Sequence, residues 1–266
     1  MNKERVRRII SYSKKNSLTI ASLVKKIYAY AGLDGESEIL NTIQIAREVF
    51  NKKGFLVLEI PFIDDEIGAL SYRGEGLGYV VINTSLPKVN VHFALAHELY
   101  HVFFGIHDFT SKVEFSDDYY EQEEEYAANL FAGIILMPEI SFIRMYTKYI
   151  QESNNDILDT IIKLISYYQA PYTSVLIRCF ELGLFDIEKA SDSIFQVSKE
   201  LIRQKLEDLW IDTTIMDPSL KNDYSHLLKL IDRFGKECVD DELINQRTLD
   251  MVIENIQTLY SKIGRK

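Results

Sequence analysis

The sequence of 266 residues has little cysteine, little proline and no excess of positive charge. Its two cysteines, Cys179 and Cys238, are too few for a disulfide framework, which predicts a reducing compartment. Because 30 Lys and Arg stand against 40 Asp and Glu, the net charge is −10, and nucleic acid is not an expected direct partner. The low cysteine content excludes a small disulfide-bonded scaffold, and the negative net charge does not favour a domain that binds duplex nucleic acid.

Long apolar runs are also missing. No uninterrupted apolar stretch approaches the ~18–20 residues that cross a bilayer, and no apolar segment follows the basic start of the chain. We therefore expect a soluble, cytoplasmic protein with no membrane partner. Residues 1–30 nevertheless hold eight Lys or Arg and one Glu. A packed helix with a solvated basic face is expected there, and an arm that binds nucleic acid is the less favoured alternative.

What is present is the composition of a folded protein, with 47% apolar and 26% charged residues. A helical pattern is followed by three β-type runs at 55–60, 67–72 and 78–83, with a glycine-rich turn before the last run. After Pro87 the pattern is helical to the end of the chain, except for a polar loop at about 107–120. This order of elements predicts an α+β fold.

Three units are expected along the chain. Residues 1–38 form an N-terminal helical segment, residues 39–185 form the core, and residues 186–266 form an all-helical C-terminal extension. Trp210 and most other aromatic side chains are expected to lie in the interior.

The candidate chemistry is concentrated in one segment, where residues 97–101 spell His-Glu-Leu-Tyr-His, an H-E-x-x-H pattern. On an α-helix, His97 and His101 are one turn apart and present two ring nitrogens to one point, as a tetrahedral Zn²⁺ requires. Glu98 lies beside that point, where it can take a proton from a metal-activated water. A set of buried histidines with one ion pair is the alternative, but the apolar surroundings favour a metal, because burying this set without a cation is costly.

A catalytic zinc usually takes three protein ligands, and the residues offer two kinds of candidate for the third. His107 would complete H-E-x-x-H-x-x-G-x-x-H, but the glycine stands at 105 instead of 104. Glu125 belongs to an acidic run that opens the next predicted helix, and Asn129 follows it by one turn, where it could hydrogen-bond to a ligand. Glu121 and Glu124 of the same run are the nearest alternatives to Glu125.

Two segments of the chain resemble the ImmA/IrrE family of bacterial metallopeptidases. They are residues 93–101 (FALAHELYH) and 125–138 (EYAANLFAGIILMP), the second being close to the family pattern E-x-E-A-N-x-F-A-x-x-L-L-M-P. The resemblance implies a zincin-like metallopeptidase core with gluzincin-like ligation. In that arrangement His97, His101 and Glu125 bind one Zn²⁺ per chain, and Glu98 is the general base.

The resemblance also implies a cytosolic endopeptidase that cuts a regulatory protein, such as a helix-turn-helix repressor or an antitoxin. This chain departs from the family pattern at Tyr100, where Gly is frequent, and at Ala127, which replaces a second Glu. Residues 186–266 resemble nothing in the family, which leaves the choice of substrate open.

Two other functions are considered. One is a non-cleaving binding module that retains the zinc fold and acts as an antitoxin or anti-repressor does. Glu98 favours the enzyme, because a purely structural zinc site has no use for a general base. The other is an aminopeptidase, but no sequence feature indicates a pocket for a substrate N-terminus. For an endopeptidase, we expect residues 78–83 to form an edge strand beside the metal, along which an extended substrate could add.

Overall fold

The computed structural model describes residues 2–33, 42–73, 78–105, 111–114 and 123–264. Within these ranges the chain forms ten α-helices, two short 3₁₀ helices and one four-stranded sheet, so the predicted α+β class is confirmed. No single helix in the described ranges is long and apolar enough to cross a membrane. Among the described helices, one bent pair, Glu123–Leu136 and Glu139–Glu152, reaches that length and apolarity by combining two helices.

The helices are α1 (Lys3–Ala31), α2 (Thr42–Lys52), α3 (Lys88–Phe104), α4 (Glu123–Leu136), α5 (Glu139–Glu152), α6 (Ile157–Tyr168), α7 (Tyr172–Glu181), α8 (Lys199–Asp208), α9 (Tyr224–Asp240) and α10 (Gln246–Ile263). The strands are β1 (Phe55–Ile60), β2 (Ile67–Arg73), β3 (Gly78–Asn83) and β4 (Ser111–Glu114). The 3₁₀ helices are Asp192–Phe195 and Thr213–Met216.

The sheet has the strand order β1-β3-β2-β4. β1 runs parallel to β3, whereas β2 is antiparallel to both β3 and β4. The three predicted strands are confirmed, with β2 one residue longer than expected. The prediction of an edge strand at 78–83 is wrong, because β3 pairs on both sides, and β4 lies inside the segment predicted to be a loop. Local alternation indicates a strand but does not encode which distant segments will flank it.

The main hydrophobic core lies between the inner face of the sheet and the helices α1 to α8. Val80 and Ile82 of β3 point into this core, together with most of α3 and α4. α1 buries Val6, Ile20 and Ile27 in the same cluster and leaves its basic residues at the surface, which confirms the expected packed helix with a solvated basic face. The division of the chain at 38 and 185 stays a prediction.

The outer face of the sheet is covered by the last two helices. A second cluster contains Phe62, which follows β1, and side chains of β1, β2, β3, α9 and α10, among them Leu58, Ile60, Ile67, Leu70, Val81, Leu227, Tyr260 and Ile263. Asp223, just before α9, exchanges hydrogen bonds with the backbone of Glu59 in β1. The C-terminal helices therefore cover the face of the sheet that points away from α3.

The expected burial of Trp210 is wrong, because its side chain is 96% exposed. Trp210 follows α8 with a left-handed φ of 56°, and Ile211 donates its N–H to the Leu206 carbonyl oxygen at 2.8 Å. This hydrogen bond reverses the chain at the end of the helix, as in a common C-terminal capping motif. The reversal leaves the indole in solvent.

Candidate metal centre

His97, Glu98 and His101 lie on α3, a helix surrounded by the core. α3 begins directly after Pro87 and ends at Phe104, and the N–H of the following Gly105 donates to the His101 carbonyl oxygen at 3.0 Å. Proline before a helix and glycine after it favour these boundaries. His97 and Glu98 are both 0% exposed. The buried helix therefore holds their side chains on a rigid support.

Glu125 reaches the histidines from α4. Three glutamates form the first turn of α4, where negative charge is favourable near the positive end of the helix dipole. Ala127, Ala128 and Ala132 are buried, and such small side chains allow a neighbouring helix to approach closely. Glu125 is itself buried, with a relative exposure of 7%.

The nitrogen and oxygen atoms of these three residues converge. The Nε2 atoms of His97 and His101 are 3.0 Å apart. One Glu125 oxygen lies 3.3 Å from Nε2 of His97, and the other lies 3.3 Å from Nε2 of His101. Ligands held at about 2.0–2.1 Å from a tetrahedral zinc are about 3.3 Å from one another, so the spacing fits this ion. Within the described residues, this is the group whose ligand atoms could hold a metal together.

The outward ring nitrogens also have partners. Nδ1 of His97 lies 3.1 Å from Oδ1 of Asn129, and Nδ1 of His101 lies 3.2 Å from Oε1 of Glu124. An Nδ1–H that donates to such an oxygen leaves the Nε2 lone pair free to face a metal. Both contacts therefore orient the rings toward the point where Nε2 atoms and the Glu125 carboxylate meet.

The contact between Glu124 and Nδ1 of His101 is not indicated by the sequence, in which Glu124 is only an alternative metal ligand. The contact depends on Gly105, where an added Cβ would lie 2.5 Å from the His101 carbonyl oxygen and 3.2 Å from Oε1 of Glu124. A side chain at this position would displace the end of α3 from Glu124. In the sequence, Gly105 stands one residue beyond the position that the longer motif H-E-x-x-H-x-x-G-x-x-H requires, and no local pattern indicates its packing role.

His101 and the carboxylates around it stabilise one another's charged forms. Burial lowers the pKa of His101, but the carboxylates of Glu125, Glu98 and Glu124 raise it overall to about 9. Burial acts against the charge of Glu125, yet hydrogen bonds from His101 and His97 bring its pKa down to about 2. The site therefore holds a carboxylate that strongly attracts positive charge, as a cation site requires.

Glu98 differs from its neighbours because it lacks partners. Neither carboxylate oxygen has a hydrogen-bond partner among the described residues, although both are buried. Burial raises the pKa of Glu98, against the opposing influence of His101, His97 and nearby Ser71. An unpaired buried carboxylate is costly, and a bound cation or polar ligand beside it would offset that cost. This orphaned group supports the fit of a metal to the site.

Two of the three alternative ligands fall outside the described ranges. His107 and Glu121 both lie outside the residues that the structure describes. His92 lies on α3 and is partly buried, and burial lowers its pKa, but it is not part of the convergent group.

Comparison with known proteins finds a family match in the part of the chain that contains the site. Residues 50–180 match the model of a peptidase family described as the IrrE N-terminal-like domain. This segment belongs to the ImmA/IrrE family of metallopeptidases. No curated protein shows significant similarity to the sequence.

The ImmA/IrrE segment contains the sheet, α3, α4 and every residue of the convergent group. α1 and the helices from α8 onward lie outside it. The family and the His97, His101 and Glu125 group together support a metallopeptidase-type function.

Proposed function

We propose that the protein is a zinc-dependent endopeptidase in which His97, His101 and Glu125 bind one Zn²⁺ and Glu98 is the general base. The observation that carries the proposal is the convergence of two Nε2 atoms and a carboxylate beside an unpaired, buried carboxylate. Two imidazoles and one carboxylate are a common ligand set of catalytic zinc and leave a position for a reactant. A purely structural site would have no use for Glu98.

When bound, a zinc ion supplies Lewis acidity, which polarises a carbonyl group and makes water nucleophilic at neutral pH. Glu98 accepts the proton of the attacking water and delivers it to the nitrogen of the leaving amine. Its burial raises the pKa of the carboxyl group, which makes Glu98 a stronger base for the first of these transfers. Asn129 and Glu124 hold the two imidazole rings in position during both steps.

The substrate proposed is a regulatory protein in the cytoplasm, such as a helix-turn-helix repressor or an antitoxin, as the family resemblance implies. An extended substrate adds to an edge strand, and in the described sheet the edge strands are β1 and β4. The backbone of β1 at Glu59 already bonds to Asp223, whereas β4 packs against α3. We therefore assign the substrate to the edge at β4.

The competing function is a binding module that controls its partner without cutting it. Substituting Glu98→Gln distinguishes the two, because an amide retains the shape of the side chain but accepts no proton. We expect the variant to bind zinc and fold normally, yet to leave a candidate repressor intact when the products are analysed by mass spectrometry. Glu123→Gln, at an exposed site in the first turn of α4, is the matched control and should cut like wild type. Equal release of the partner's function in cells by wild type and Glu98→Gln would establish the binding module instead.

A further inference from the structure

The positive charge of the protein is concentrated on α1. This helix carries eight Lys or Arg and one Glu, which leaves 22 basic and 39 acidic residues, a net of −17, for the remaining chain. The total charge of −10 therefore conceals one strongly basic element. The argument against nucleic acid from the total charge does not apply to the surface of α1 itself.

Most of the basic residues of α1 recur on one side of the helix. They form three adjacent pairs: Arg7 and Arg8, Lys14 and Lys15, Lys25 and Lys26. The pairs are separated by seven and eleven residues, which are close to two and three full helical turns. All six residues are exposed, so they form a basic stripe about 27 Å long on the solvent side of α1.

The stripe lies on a helix that is packed against the core, and only part of its positive charge is neutralised by ion pairs. Val6, Ile20 and Ile27 fix the opposite side of α1 in the core. Near its N-terminal end Arg7 pairs with Glu188 at 2.8 Å, which anchors the helix to the segment before α8. The four lysines of the stripe, in contrast, have no ion-pair partner within the described ranges. The middle and C-terminal parts of α1 therefore present four lysines that no described carboxylate neutralises.

The other exposed residues of the stripe favour phosphate over a membrane. Ser11, Thr19 and Ser22 expose hydroxyl-bearing side chains between the basic pairs. Leu18 is the one large apolar side chain that the described part of α1 exposes, because most of the other apolar residues of the helix face the core. A helix that lies in a membrane interface needs an apolar face toward the lipid. Phosphate groups, in contrast, are bound by lysine, arginine and hydroxyl side chains.

We propose that the basic stripe of α1 binds the phosphate backbone of duplex DNA. The choice of DNA rests on the proposed function, because a helix-turn-helix repressor occupies duplex DNA and the stripe would bring the peptidase to its substrate. Contacts to the backbone carry no base information, so binding is independent of sequence. Such binding has dissociation constants of about 10⁻⁴–10⁻⁶ M at physiological salt.

The test is the fluorescence anisotropy of a labelled mixed-sequence DNA duplex of about 20 base pairs, titrated with the full chain at several salt concentrations. Four phosphate contacts give a slope of about −3.6 for log K against log salt. Replacing the four stripe lysines together by Gln, a good helix former, should weaken binding at least tenfold and bring the slope toward zero. The control replaces four exposed lysines elsewhere by Gln, at Lys189, Lys199, Lys229 and Lys262, and should bind within about threefold of wild type.

Circular dichroism of both variants establishes that α1 is still folded. Equal loss of binding in both variants, or no loss in either, would overturn the proposal. So would tighter binding to an RNA duplex, binding to vesicles containing phosphatidylserine but not to DNA, or stripe-dependent self-association in analytical ultracentrifugation without DNA. Glu98→Gln should bind DNA like wild type. DNA binding and peptidase activity are therefore tested separately: a protein that cuts no repressor could still bind DNA through the stripe, and a protein that binds no DNA could still be a peptidase.

Discussion

At the scale of single residues, the cluster shows how two helices specify the direction of each donor atom. His97 and His101 each have one nitrogen toward the Glu125 carboxylate and the other toward an oxygen of α4. The second contact decides which nitrogen is free, because a ring held at Nδ1 presents Nε2. Asn129 and Glu124 should therefore affect metal affinity without touching the metal.

We expect Asn129→Ala and Glu124→Ala each to weaken zinc binding about 10–100-fold, because the loss of such supporting contacts has effects of that size. Competition with a chromophoric zinc chelator measures the affinity. Asn129→Asp retains an oxygen acceptor and should lose less than Asn129→Ala. Unchanged affinity in both alanine variants would show that packing alone orients the two rings.

A second residue-scale prediction concerns Arg178, which is buried on α7. It donates to the Met137 carbonyl oxygen at the end of α4 and to Glu181, whose carboxyl pKa is raised by burial against the influence of Arg178. Arg178→Met leaves the buried Glu181 without its cation and should lower the free energy of unfolding by about 3–5 kcal/mol in urea denaturation.

The exposed pair of Arg7 and Glu188 is the matched control, since its hydrogen bonds of 2.8 and 2.9 Å are no longer than the 3.0 and 3.1 Å bonds of Arg178. Arg7→Met should leave the free energy of unfolding nearly unchanged, because solvent screens the pair. Equal losses for the two variants would contradict the importance that we give to burial.

The candidate site could be predicted at the residue scale because its determinants are local. The four-residue spacing of His97 and His101 fixes their common direction once a helix is assumed, and the same spacing relates Glu125 to Asn129. Glu124 could not be assigned its contact, because Gly105 and Glu124 meet only after α3 and α4 pack. Trp210 shows the same limit, since a capping hydrogen bond and not its hydrophobicity decides its exposure.

At the scale of elements, the sheet separates two clusters of apolar side chains. Alternate residues of β3 point to opposite faces, Val80 and Ile82 toward α3 and Val81 toward the C-terminal helices. The sequence predicts the three strands but not their order. β1 pairs with β3 and not with β2, although β2 follows β1 in the chain. The C-terminal helices cover the outer face, which the family resemblance gave no reason to expect.

The burial of the outer face can be tested at Phe62, which is 1% exposed, against its neighbour Ile63, which is 57% exposed. Phe62→Ala creates a cavity between the sheet and the C-terminal helices and should lower the free energy of unfolding by about 3–5 kcal/mol. Ile63→Ala should change it by no more than about 0.5 kcal/mol. Denaturant unfolding of both variants measures the difference. Similar values for the two would mean that the C-terminal helices do not seal this face.

At the scale of the whole molecule, the proposed metal would link segments that are distant in the chain. His101 and Glu125 belong to separate helices, and α4 also packs against α1 and α7. A ligand that binds the folded chain but not the unfolded chain raises the free energy of unfolding by RT ln(1 + [L]/Kd). A free zinc concentration of 100 times Kd therefore adds about 2.7 kcal/mol.

For a chain of this length, that gain corresponds to a rise in Tm of about 5–10 °C. We expect a chelator to remove this rise and added zinc to restore it, as followed by calorimetry of the full chain. Glu125→Ala removes one of the three proposed ligands, so its Tm should change little with zinc or chelator, whereas Glu123→Ala should respond like wild type. A zinc-dependent rise of equal size in Glu125→Ala would mean that the third ligand lies elsewhere, and His107 would then be the residue to substitute next.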